Sequence, residues 1–142
     1  MSRLARLLQE GRRRERAQAL FYRYLAGEAE ISGDEEASER LNALLADEQH
    51  HISRLTARLL ELGERPDEAV EAPEVPSFDT WEIVARCREE DEVRWYEEAV
   101  EGIEDGPTGE VLREILASEL HHRDQLEGKW MPAAQTPRGA KA

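Results

Sequence analysis

The sequence predicts an all-α fold, a bundle of four helices arranged as two antiparallel hairpins joined by a long crossover linker. Three observations predict it. Apolar residues recur at three- and four-residue steps over four long stretches. Charged residues make up 36% of the chain against 6% aromatic, which suits long solvated helices rather than strands. The 142 residues fit one domain of four helices and leave too little chain for a second sizeable core.

The first helix runs from about Ser2 to about Glu30 on the stripe Leu4, Leu8, Gly11, Ala19, Tyr22 and Leu25. Ser32, Gly33 and Asp34 break it. The second spans about Asp34 to Leu62 on Leu41, Leu44, Leu45, Leu55 and Leu59, with Gly63 as the terminating residue. Residues 64–77 carry Pro66, Pro73 and Pro76 without any period and form a linker. The third helix starts near Asp79 as N-cap and carries Val84, Val93, Tyr96, Val100 and Ile103 up to the turn Glu104-Asp105-Gly106-Pro107. The fourth runs from about Pro107 to Trp130. The bundle domain therefore covers residues 1–130, and the tail 131–142, with two prolines and several small residues, is expected to be disordered. Short turns make each helix pair a hairpin. A second helix roughly 42 Å long can be spanned by a linker reaching about 50 Å, so the middle connection runs back along the whole bundle.

A formal charge of -13 argues against nucleic acid or an anionic membrane as partner and favours small cations. No apolar stretch approaches a membrane span. The arginines Arg3, Arg6, Arg12, Arg13, Arg14 and Arg16 have the look of a transit peptide or basic arm, but the apolar stripe runs unbroken through them, as on a solvated helix face. A lone cysteine, Cys87, makes no intramolecular disulfide, and no secretory signal precedes the first helix, so the expected compartment is the cytoplasm. Cys87 itself is expected to be a small packed residue.

Each apolar stripe is interrupted near its midpoint by a carboxylate: Glu15, Glu48, Glu89 and Glu119. A buried carboxylate without a partner is unfavourable by several kcal/mol or more, so four at one level of a bundle demand cations. Counted from the turns, each lies about 20 Å from the hairpin end of its helix. Glu48 and Glu119 have His51 and His122 three residues on, on the same helix face. Four carboxylates balance two divalent ions when both histidines are neutral. The chain also repeats itself: Leu45-Ala46-Asp47-Glu48-Gln49-His50-His51 matches Leu116-Ala117-Ser118-Glu119-Leu120-His121-His122, and Glu15 and Glu89 are each followed seven residues later by a tyrosine, Tyr22 and Tyr96. One Glu-x-x-His pair arises easily by chance in so acidic a chain. Two in the same register, with two further Glu at matching depth, build a symmetric two-metal site. His50 and His121 sit one step around the helix and are expected at the surface.

From Glu15 to Leu126 this constellation resembles the ferritin-like di-iron carboxylate superfamily, most closely its rubrerythrin branch. The first-helix stretch Glu15-Arg16-Ala17-Gln18-Ala19-Leu20-Phe21-Tyr22-Arg23-Tyr24-Leu25-Ala26 and the stretch Glu89 to Tyr96 both look like the rubrerythrin version. The resemblance implies a ferritin-like four-helix bundle with Glu15, Glu48, His51, Glu89, Glu119 and His122 holding two iron ions, although manganese or zinc suits the same ligands. Glu92 matches the extra third-helix Glu of rubrerythrins, which can replace a His ligand when the irons change oxidation state. Tyr22 and Tyr96 would hydrogen-bond a ligand carboxylate, supply an electron, or simply pack as core aromatics. A single Cys excludes a rubredoxin domain, and Gln49 stands where bacterioferritins place their haem-binding Met, so haem is not expected. Nothing after Trp130 looks like the fifth helix of cage-forming ferritins. The implied activity is that of an oxidoreductase, a peroxidase or ferroxidase that reduces peroxide or dioxygen with electrons from an external donor or Fe(II), in a homodimer. Iron storage inside a cage or capsid is the alternative, and hydroxylation of a small organic molecule is a third.

Overall fold

The computed structural model describes residues 1–126. Four helices form: α1 (Arg3–Ser32), α2 (Glu35–Glu61), α3 (Trp81–Glu101) and α4 (Gly106–Asp124), with a 3-10 turn over Phe78–Thr80. The hairpin turns follow from cap chemistry. Gly33, at φ 76°, takes the left-handed conformation that lets Asp34 N–H reach the Ala29 carbonyl at 3.0 Å, and Asp34 then caps α2 by accepting from the Ala37 N–H. Gly63, at φ 79°, closes α2 the same way, with Glu64 N–H on the Leu59 carbonyl at 2.9 Å. Asp105 caps α4 through the Thr108 N–H, ahead of Pro107 in the first turn.

One boundary differs from the sequence reading. Asp79 is not the cap of α3: it lies inside the 3-10 turn and accepts the Ser77 hydroxyl, so the helix proper begins two residues later, behind Thr80. The fourth helix is described to Asp124; its expected extension to Trp130 and the tail 131–142 lie outside the described residues. No helix among the described residues is long and apolar enough to cross a membrane.

Two apolar clusters mark the two ends of the bundle. At one end Ala5 and Leu8 of α1 meet Leu55 and Leu59 of α2, Ala99 of α3, and Val111, Leu112 and Ile115 of α4. At the other, Leu25, Ala26 and Ala29 of α1 meet Ala37 and Leu41 of α2, Trp81 and Ala85 of α3, and Leu126. The start of α3 therefore sits at the opposite end from the finish of α2, and the connection between them crosses the length of the bundle. The crossover is held along α1. Gln9 donates to the Arg65 carbonyl at 2.8 Å and accepts from Asp67 N–H at 2.9 Å, Arg12 reaches the Asp67 carbonyl, and Arg16 reaches the Glu68 carbonyl at 3.0 Å. Those α1 arginines, read from sequence as a solvated face, thus satisfy the backbone carbonyls of a linker that has no ladder of its own.

Candidate metal centre

Between the two apolar ends lies a polar layer. Glu15 in α1, Glu48 and His51 in α2, Glu89 in α3 and Glu119 and His122 in α4 are all buried, each at 3% exposure or less. Their ligand atoms form two overlapping groups, Glu15, Glu48, His51 and Glu119, and Glu48, Glu89, Glu119 and His122, with the atoms of each group within 4.8 Å of one another. Glu48 and Glu119 belong to both. His51 Nδ1 lies 3.1 Å from Glu15 Oε1 and 3.1 Å from Glu48 Oε1, and His122 Nδ1 lies 3.0 Å from Glu119 Oε1. The two imidazoles stand 6.3 Å apart across the layer.

The hydroxyls of the repeat tyrosines support this layer crosswise. Tyr22 on α1 donates to Glu89 Oε2 of α3 at 2.5 Å, and Tyr96 on α3 donates to Glu15 Oε2 of α1 at 2.7 Å. Of the roles open to these tyrosines, holding a carboxylate is the one the geometry displays. Burial and the facing carboxylates raise both phenol pKa values, so the hydroxyls stay protonated donors.

The electrostatics are those of crowded, buried carboxylates. Burial raises the carboxyls of Glu48 and Glu119, and neighbouring carboxylates raise them further. Burial also opposes ionisation of Glu15, but hydrogen bonds, above all with His51, outweigh it and bring its pKa down to about 2. Burial opposes charging of the histidines too. Hydrogen bonds to Glu119 and Glu15 nonetheless lift His51 to about 9, and those to Asp47, Glu119 and Glu89 lift His122 to about 12. Even so, Glu48 Oε2, Glu89 Oε1 and Glu119 Oε2 are buried with no hydrogen-bond partner among the described residues. A buried, unpartnered carboxylate oxygen is costly, and three converging on one layer fit a metal pair.

Glu92 is buried in the same region but belongs to neither group. Its Oε1 accepts from Arg14 Nε at 3.2 Å, and burial, opposed by Arg14 and aided by Glu15 and Glu89, raises its carboxyl to about 7. In this conformation it is held by Arg14 of α1. His50 and His121 are exposed, as expected. Cys87 is exposed rather than packed: on α3 it falls midway between the inward positions Ala85 and Glu89.

Three contributors are not apparent from the sequence. Asp47 Oδ2 meets His122 Nε2 at 2.8 Å across 75 residues of chain. Gln18, fully buried, donates to Glu89 Oε2 at 3.3 Å and accepts from Arg88 Nε. Arg14 holds Glu92 and stacks over Trp95. Only the position of Gln18, three residues after Glu15 in the stripe, carries a readable signal.

No protein-family model matches the chain, and no curated protein matches it. Among solved structures it is similar to Mycobacterium tuberculosis bacterioferritin, BfrA, with a TM-score of 0.81 and 22% sequence identity over 87% of this chain and 80% of that one. Fold and likeness together define a ferritin-like four-helix bundle, here enclosing a buried carboxylate and histidine cluster.

Proposed function

We propose that the protein is a di-iron oxidoreductase of rubrerythrin type that reduces peroxide or dioxygen, taking electrons from an external donor or from Fe(II). The observation that carries this reading is the pair of overlapping ligand groups with three unpartnered carboxylate oxygens between them. Glu15 and His51 would serve one ion, Glu89 and His122 the other, with Glu48 and Glu119 shared between both. Iron held there would supply the electrons for the oxidant. The protein's own part is to hold ligands in place and keep bulk water out: Tyr22 and Tyr96 fix the outer carboxylates, and the two apolar clusters close the layer from both ends. Carboxylates suit hard Fe(III) and imidazole tolerates both iron states, although manganese and zinc fit the same donors. Glu92 would act as a fifth carboxylate that leaves Arg14 for the centre on oxidation, since a further negative charge suits trivalent ions. A homodimer in the cytoplasm is the expected setting.

The likeness in fold to a bacterioferritin favours a second reading, in which the same centre oxidises Fe(II) and passes it to a mineral inside a cage or capsid. One set of experiments separates the two. Protein loaded anaerobically with Fe(II) is mixed with hydrogen peroxide or with air, while the near-ultraviolet absorbance of Fe(III) is followed. Faster oxidation by peroxide, sustained turnover with a reductant and a dimer on size exclusion support the enzyme. Oxidation that continues only as Fe(II) is added, in a large particle, supports storage. Glu92→Gln should bind iron normally yet slow the peroxide reaction by about tenfold, a loss of about 1.4 kcal/mol of transition-state stabilisation. Equal peroxide rates in the two proteins would leave Glu92 a structural partner of Arg14.

A further inference from the structure

The two halves of the centre differ behind their histidines. His122 is buried at 1% exposure, presents Nδ1 to Glu119, Glu89 and Glu48, and places Nε2 on Asp47 Oδ2 at 2.8 Å. Among the described residues, every carboxylate near His51 approaches it through Nδ1. The internal repeat shows why. Asp47 precedes Glu48, and the matching residue before Glu119 is Ser118, which carries no charge. The tyrosine hydrogen bonds, by contrast, come as a matched pair.

A neutral imidazole that binds a metal through Nδ1 carries its proton on Nε2. A carboxylate accepting that N–H fixes the tautomer, stops the ring from turning and raises the electron density of the ligating nitrogen. We propose that Asp47 makes the two metal positions unequal: the position of Glu89 and His122 fills first and holds its ion more tightly than the position of Glu15 and His51. Asp47 is a positioning residue acting through His122, with a side chain that is 54% exposed, so it can be replaced without opening the core. This inference rests on the metal-centre reading above, and the test keeps the two apart.

Cobalt(II) is titrated anaerobically into the wild type, Asp47→Ala and Asp47→Asn, with absorbance giving the binding constants and circular dichroism confirming the helices. The wild type should show two resolved steps. In Asp47→Ala the tighter step should weaken by about 10–100-fold, the usual effect of removing such a partner from a metal-bound histidine, with the weaker step unchanged. Asp47→Asn should fall between, since its amide oxygen still accepts the N–H without the charge. In the cobalt protein, the paramagnetically shifted Nε2–H signal of His122 should persist in the wild type and vanish through fast exchange in Asp47→Ala. Binding constants that do not move, or that weaken equally at both positions, would overturn the inference while leaving the metal centre standing. A wild type that binds no cobalt would overturn the metal centre itself.

Discussion

Metal loading should raise the melting temperature by on the order of 15 °C. An ion at about 100 times its dissociation constant stabilises by about 2.7 kcal/mol, and two ions add to about 5, which a domain of this size converts at about 3 °C per kcal/mol. The increment should grow between pH 5 and pH 8. In the metal-free protein the raised pKa of Glu48 and Glu119, set by burial and neighbouring carboxylates, makes folding progressively less favourable as pH rises above the unfolded carboxyl range near 4.5. His51 contributes stability that is full below its unfolded value of 6.5 and is lost as pH rises through about 9. The lowered carboxyl of Glu15 acts only below this window. Ligands must lose these protons to bind metal, so metal affinity rises over the same range. Melting curves with and without a chelator, at three pH values, check the prediction; an increment that does not change with pH would mean the carboxylates are solvated.

Replacing one shared carboxylate should separate stability from function. Glu48→Leu removes a member of both ligand groups, so it should abolish binding at both positions, whereas Glu15→Leu should spare the position of Glu89 and His122. Without metal, the same Glu48→Leu substitution should raise the melting temperature by several degrees. The substitution removes a buried carboxyl whose ionisation is opposed by burial and by Glu119, Glu15 and Glu89, and His51 keeps Glu15 as a partner. Metal analysis and thermal denaturation of the two variants read both effects. Two ions still bound by Glu48→Leu would contradict the shared-ligand geometry.

The six candidate ligands are legible in the sequence because helices are periodic. Glu48 with His51, and Glu119 with His122, lie three residues apart on one face, and the internal repeat sets both pairs at the same depth. The turns are legible for a similar local reason, as Gly33 and Gly63 take the left-handed conformations their positions suggest. What is not legible depends on how helices are rotated against one another. Asp47 reaches His122 only because α2 and α4 pack side by side, and Arg14 meets Glu92 only where α1 passes α3. The start of α3 differs from expectation because Asp79 serves a 3-10 turn as readily as a helix cap. Cys87 lies outside the core because its smallness says nothing about which side of α3 it occupies.

Whether six residues hold two metal ions in each chain is tested most directly by loading the protein anaerobically with Fe(II), removing loosely bound iron and counting metal per chain, with an anomalous-diffraction map of crystals of the same sample. Two ions per chain are expected, between Glu15 and His51 on one side and Glu89 and His122 on the other, with Glu48 and Glu119 between them. No ion, one ion, or iron bound elsewhere on the acidic surface would contradict that assignment.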